Sequence, residues 1–315
     1  MTKIIFMGTP QFSVTVLDGL LEAGYDVIAV VTQPDKKVGR KQKIVATPVK
    51  EFALKHNLPV YQPVKLSGSP ELTELIEQQT DLIITAAYGQ FLPTSFLNSA
   101  RIAAVNVHGS LLPKYRGGAP IQYAVMNGDQ ETGITIMEMV KQMDAGDMYA
   151  QQALRITDQD TTGTMFTKLA ILGRDLLLET LPGIIAGTVK KTPQDEALVT
   201  FSPNIRKEEE QLRTKMTAKQ AHNVIRGLNP DPGAFMFFNG ARLKVWQSEV
   251  VDVVTPYEAG FLVNNKRELT ISLANGTVLR LLEVQPVGGK RMKASDFLNG
   301  RAKNLVVGTR VMTDE

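Results

Sequence analysis

The 315-residue sequence predicts an α/β fold in which an open, mostly parallel, Rossmann-like sheet is followed by a small OB-like β-barrel. Three observations carry this. Short apolar runs alternate with helix-period segments through the first part of the chain; a polar, proline-containing stretch comes next; and beyond it five short apolar runs are separated by Asn-Gly and Asn-Asn turns. With 43% hydrophobic and 21% charged residues, a chain of this length can bury a full core and is longer than the usual single domain.

The first apolar run, residues 3–7, breaks at Gly8-Thr9-Pro10, and Val14, Leu17, Leu20 and Leu21 then recur at helical spacing before a second run at 27–32. That is a strand, a helix and a strand. The alternation continues with a helix at 49–55, a strand at 59–61, a helix at 71–78, and strands at 82–86 and 103–107. A helix over 119–125 follows. Residues 133–140 and 148–156 then form a β-hairpin across a turn at 144–147, and Met165, Leu169, Leu172, Leu176, Leu177 and Leu181 mark a long helix over 161–186.

Residues 187–206 lack sustained apolar periodicity and contain Pro193 and Pro203, the composition of a linker. The expected division is therefore a catalytic domain at 1–189, a linker at 190–206 and a C-terminal domain at 207–315. In the last, a helix runs from the threonine cap Thr217 to Gly227, and strands follow at 234–238, 242–249, 260–264, 269–273 and 277–285.

Composition excludes several chemistries. Without cysteine there are no disulfides, thiolate zinc sites or cysteine nucleophiles, and the three histidines, His56, His108 and His222, are too dispersed for a local metal-binding spacing. No metal is expected. No run of about 18 apolar residues exists to cross a bilayer, and the N-terminus does not read as a signal peptide, so the expectation is a cytoplasmic monomer with no membrane association. Residues 207–315 carry 16 basic and 12 acidic side chains against 19 and 20 in residues 1–206. That surplus fits an anionic partner or a merely solvated surface.

Gly8 after the first strand, with Asp35 further on, invites a dinucleotide-binding reading, but G-x-G-x-x-G is absent, and a tight turn that needs Gly8 is the plainer account. Asn106 and His108 are more informative. Two apart at the carboxyl end of a buried strand, they project to the same face, where open α/β sheets bind ligands. An amide that donates to an oxyanion beside a histidine that titrates near neutrality suits acyl transfer; a capping asparagine and a hydrogen-bonded core histidine is the alternative. Ser110 has no G-x-S-x-G elbow around it, which favours a turn serine over a nucleophile.

The stretch N-V-H-G-S-L-L-P-K-Y-R-G at 106–117, followed by M-D-A-G-D at 143–147, resembles the signature of the folate-dependent formyltransferases. The resemblance covers the first domain up to about residue 185. It implies that Asn106, His108 and Asp144 form the catalytic trio and that Ser110, Leu111, Leu112 and Pro113 form the folate-binding strip. Asp147 is either a second polar contact or a turn residue. The opening F-M-G-T-P-Q-F, the basic loop after the second strand and the C-terminal barrel resemble the branch of the family that acts on charged initiator tRNA.

The basic loop holds Lys36, Lys37, Arg40, Lys41 and Lys43 around Gly39, and a charge run of this kind is ordinarily a solvated surface. The resemblance implies instead that it enters the acceptor arm of the tRNA, with Arg40 as the matching arginine. Lys290, Arg291, Lys293, Arg301 and Lys303 form a second cluster, for which RNA contact and simple solubility stay open. The implied reaction is direct attack of the amine on 10-formyltetrahydrofolate, a reduced-folate co-substrate, with no covalent enzyme intermediate. A small-molecule formyltransferase and an inactive nucleic-acid-binding relative are the other readings.

Overall fold

The computed structural model describes residues 2–39, 42–266 and 268–315. The chain divides into two compact units, the first comprising Met1–Pro120, Glu131–Arg155 and Phe166–Pro203, the second Ile121–Gln130, Ile156–Met165 and Asn204–Glu315.

In chain order the elements up to the long helix are β1 (Lys3–Gly8), α1 (Gln11–Glu22), β2 (Asp26–Val31), β3 (Lys36–Val38), β4 (Lys43–Val45), α2 (Pro48–Lys55), β5 (Val60–Tyr61), α3 (Pro70–Glu77), β6 (Leu82–Ala86), α4 (Thr94–Leu97), β7 (Ala103–His108), α5 (Pro120–Asn127), β8 (Glu131–Glu138), β9 (Met148–Arg155) and α6 (Thr162–Ala186). The first unit is built on one seven-stranded sheet in the order β5-β2-β1-β6-β7-β8-β9. Its first four pairings are parallel, and the last two, β7 with β8 and β8 with β9, are antiparallel. β1 and β6 are buried along almost their whole length, as parallel strands covered on both faces must be.

On one face Ile5, Met7, Ala29, Val31 and Ile83 pack with Leu66, Leu75, Phe96 and Leu97. Toward the other lie Ile4, Phe6, Leu82 and Ile84, buried as well. The helices begin where the sequence allows: Thr47 and Ser69 accept from the backbone N–H groups of Lys50 and Leu72, and each is followed by proline at the first helical position. Gly8 closes β1 in a turn so tight that an added Cβ would lie 2.4 Å from Ser13 Cβ, which is why that position is glycine. No dinucleotide loop is needed to explain it.

The sequence expectation has no helix at 94–97 or 294–299 and no strand at 292–293 or 312–313, and it sets 121–130 and 156–165 in the first domain; two further differences bear on the site. The basic stretch after β2 contains a two-stranded antiparallel ribbon, β3 with β4, pairing Lys36 with Val45 and Lys37 with Ile44. Its charge and brevity hide the strand pattern. Residues 190–203, which read as a linker, lie on the first unit: Thr192 and Met148 exchange backbone hydrogen bonds, and Arg116 does the same with Thr200 and Ser202.

The second unit carries α7 (Ala218–Gly227), β10 (Ala234–Phe238), β11 (Ala241–Val254), β12 (Leu262–Asn264), β13 (Leu269–Ser272), β14 (Thr277–Pro286), β15 (Met292–Lys293), α8 (Ala294–Asn299) and β16 (Met312–Thr313). Its antiparallel sheet runs β12-β13-β14-β11-β10-β16, with β15 added beside β14. The residues leading into β16 also reach β12, where Arg310 pairs with Phe261 and Leu262 N–H donates to Thr309. One segment therefore touches both ends of the sheet and curls it toward a barrel. Inside are Met236, Leu243, Val245, Ile271, Leu279, Leu281 and Val284, capped by Ala221, Ile225 and Leu228 of α7 and by Phe297 and Leu298 of α8. A Thr217–Gln220 capping box starts α7, the N-cap the sequence predicts there.

Candidate active site

The parallel strands β1, β6 and β7 all end at one edge of the sheet, and β7 brings its only polar side chains there. Register places Asn106 between Thr85 of β6 and Met137 of β8, and His108 opposite Thr135 of β8. Thr85 Oγ1–H donates to Asn106 Oδ1 at 2.8 Å. The amide is thereby oriented: its carbonyl is taken by Thr85, so its NH2 is the end turned to other partners.

His108 is buried, and its two ring nitrogens meet different groups. Nε2 lies 3.0 Å from the backbone carbonyl of Tyr115, an acceptor, so Nε2 carries the hydrogen. Nδ1 lies 3.8 Å from Asp144 Oδ1. In the neutral ring Nδ1 is therefore the nitrogen without a hydrogen, and it lies beside the carboxylate at a distance too long for a hydrogen bond.

Asp144 sits in the β8–β9 connection with a left-handed φ of 49°. Its Oδ2 accepts from the backbone N–H of Gly117 at 2.9 Å. Gly117 itself has a φ of 126°, and a Cβ there would lie 2.6 Å from the Ser202 carbonyl, so neither the conformation nor the space admits another residue. His108 and Asp144, 36 positions apart in sequence, are thus held by one hydrogen-bonded loop system, and Asn106 beside them by Thr85.

The strip after β7 forms a tight turn. Ser110 is fully buried, and its hydroxyl donates to the Lys114 carbonyl at 2.6 Å. Its own carbonyl accepts from Thr135 Oγ1, which in turn accepts from Leu112 N–H at 3.1 Å and from Gln151 at 2.9 Å. Gln151 also donates to the Leu112 carbonyl. Leu111 stays half-buried and Leu112 is buried. The Ser110 hydroxyl belongs to the turn, and what this strip offers a ligand is the surface of Leu111 and Pro113.

Asp35 is occupied otherwise: Gln62 and Lys50 each donate to it at 2.7 Å, and these bonds hold its carboxyl below the usual range. Asp147 uses its backbone carbonyl to accept from Glu138 N–H, closing the hairpin. Lys36, Lys37 and Lys43 are exposed on the ribbon; Arg40 and Lys41 lie outside the described residues. Among the described residues no group of three His, Asp or Glu side chains could hold a metal ion. Sequence reading missed Thr85, Thr135 and the Tyr115 carbonyl, which the sheet register and the strip bring to the trio from other segments. Near the same edge, the buried Tyr88 phenol, whose pKa burial pushes up to about 12, has no hydrogen-bond partner among the described residues.

Residues 2–181 match the formyl transferase family, and residues 204–302 match the formyl transferase C-terminal domain. The chain belongs to the formyl transferase family. It is 66% identical over 312 residues to the methionyl-tRNA formyltransferase of Lactobacillus acidophilus, covering 99% of both chains, and 62% identical to that of Lactobacillus johnsonii over the whole of both. Its fold is shared by WlaRD, a sugar 3N-formyl transferase, with a TM-score of 0.68 and 20% identity over 92% of this chain and 99% of that one. HypX from Aquifex aeolicus, solved with tetrahydrofolic acid, gives a TM-score of 0.66 at 16% identity, covering 99% of this chain and 50% of HypX.

Proposed function

We propose that this protein transfers the formyl group of 10-formyltetrahydrofolate to the free amino group of methionine charged on initiator tRNA. The observation that carries the chemistry is the convergence of Asn106, His108 and Asp144 at the carboxyl edge of the sheet. The family and the full-length relatives named methionyl-tRNA formyltransferase support the choice of substrates.

The amine attacks the formyl carbon, the C–N bond forms, and the formyl oxygen takes up negative charge. Asn106 Nδ2 donates to that oxygen, since Thr85 has claimed its Oδ1. His108 donates there as well through Nδ1–H, while Tyr115 keeps Nε2–H out of the reaction. Asp144 lies beside the ring and receives the proton that the attacking nitrogen loses, directly or through one water. Collapse breaks the bond to the folate N10, which leaves with the proton that Asp144 took up, and the carboxylate is regenerated. The products are formyl-methionyl-tRNA and tetrahydrofolate.

In this reading residues 1–189, with the 190–203 stretch that lies on the first unit, carry the chemistry, and 207–315 bind tRNA together with Lys36, Lys37, Arg40, Lys41 and Lys43. The folate lies along the 110–113 strip, against Leu111 and Pro113, with Ser110 and Leu112 holding the strip from beneath, and the protein works as a monomer in the cytoplasm. Incubating the protein with 10-formyltetrahydrofolate and methionyl initiator tRNA tests the assignment by the appearance of formyl-methionine. Asp144→Asn should lower turnover about a hundredfold and keep a cooperative melt. Formylation of a small amine in preference to charged tRNA would refute the substrate; an active Asp144→Asn would refute the trio.

A further inference from the structure

The Asp144 loop is held by a side chain that sequence reading left in a connecting segment. Gln194 Nε2 donates to two backbone carbonyls, those of Asp144 and Gly146, each at 2.8 Å. Its Oε1 accepts from Arg116 Nε at 3.0 Å. Every partner demands the same orientation of the amide: turned over, it would set oxygen against two carbonyl oxygens and NH2 against a guanidinium.

Arg116 is itself an unusual group. Its side chain is 1% exposed, yet it is a cation, and its other nitrogens reach Glu196 at 2.8 and 3.4 Å, a carboxylate that is 70% exposed. A buried guanidinium persists only if its donors are used, and Gln194 and Glu196 use them. The main chain on either side is locked too: Arg116 N–H donates to Thr200 O, Ser202 N–H donates to Arg116 O, and Ser202 Oγ–H donates to Tyr115 O. Tyr115 O is the acceptor that sets the His108 tautomer, and Gly117 N–H is the donor that holds Asp144 Oδ2. One segment, residues 194–202, therefore supports both the histidine and the aspartate.

We propose that Gln194, oriented by Arg116, is a positioning residue for formyl transfer: it fixes the backbone of Asp144 so that the carboxylate stays opposite His108 Nδ1. The proposal rests on the reading of Asp144 as part of the catalytic trio. The loop needs such a holder because Asp144 adopts a left-handed φ, a conformation that a non-glycine residue keeps only when its surroundings impose it. Two carbonyls gripped two residues apart by one amide supply that constraint.

Gln194→Met keeps the length of the side chain and removes its hydrogen bonds; Gln194→Glu keeps an acceptor for Arg116 and loses the donors to the carbonyls. Each should lower kcat about ten- to hundredfold, the scale of a reacting group displaced by about 1 Å, with KM for 10-formyltetrahydrofolate and for charged tRNA changed less than about threefold. The acid limb of the kcat–pH profile should shift in both, which a role confined to folding would not produce. Combined with Asp144→Asn, either substitution should add almost nothing to the loss already caused by Asp144→Asn. Wild-type kcat in Gln194→Met or Gln194→Glu, or losses that multiply in the double variant, would overturn the positioning role. An active Asp144→Asn would instead remove the trio on which it rests.

Discussion

His108 has one nitrogen committed and one in reserve, and its rate effect should follow from that division. Nε2 is tied to Tyr115, so in the proposed reaction His108 acts through Nδ1. His108→Ala should lower turnover about a hundredfold or more while the affinity for 10-formyltetrahydrofolate changes little, as measured by initial rates and folate titration. Near-wild-type turnover would take His108 out of the reaction. The pairing of Asn106 with His108 was legible in the sequence, because a strand repeats every two residues and both sit at the end of an apolar run. Asp144 was legible only through the resemblance of its surroundings to a known pattern. Thr85, Thr135 and Gln194 were not legible at all: they reach the trio through register and a long return of the chain, neither of which leaves a local mark.

At the scale of the element, helices and buried strands followed their periods closely, whereas β3 and β4 did not, because two three-residue strands full of lysine carry no alternation to read. The helix α7 carries a titratable group with a measurable consequence. His222 meets Ser248 of β11 through Nδ1 at 3.0 Å, and burial, with the nearby Arg226 charge as a second cause, holds its pKa below the ordinary value of 6.5. As pH falls below 6.5 the unfolded chain binds a proton that the folded helix resists, so stability from this group is complete above that value and declines below it. Thermal melts between about pH 7 and pH 5 should therefore fall more steeply for the wild type than for His222→Gln. Parallel declines would assign the acid sensitivity to other groups.

Across the whole molecule, charge is distributed less evenly than its net value of +3 conveys. In the second unit Arg242, Arg280, Arg291 and Arg310 are each paired with a carboxylate of the same unit. Lys290, Lys293 and Lys303 have no such partner among the described residues, and neither do Lys207, Arg213, Lys215 and Lys244, so the unpaired positive charge is spread over the unit. Under the proposed function, RNA contact by the basic stretch at 36–43 has a salt signature that a solvated surface would lack. Binding of charged tRNA should weaken steeply as salt rises, and Arg40→Ala should lower formylation efficiency strongly with nearly unchanged folate affinity. Unchanged tRNA kinetics in Arg40→Ala would leave the ribbon a solvated surface and favour a small-molecule acceptor.

The segment that joins both ends of the second unit's sheet also orders events in time. Met312 and Thr313 pair with β10, Arg310 pairs with Phe261, and Asp314 accepts from the backbone and hydroxyl of Thr214 at 2.8 and 3.0 Å. These residues are synthesised after every other strand they touch. On the ribosome the sheet of the first unit can assemble while the later residues are still being added, but the second sheet must wait with its two edges open until residues 309–313 have been added. Open edges are where strands of neighbouring chains pair, so the interval before closure is when a nascent copy is most exposed to aggregation. Residues 309–313 thus act as the seam of the barrel, and replacing them would cost the unit its enclosure.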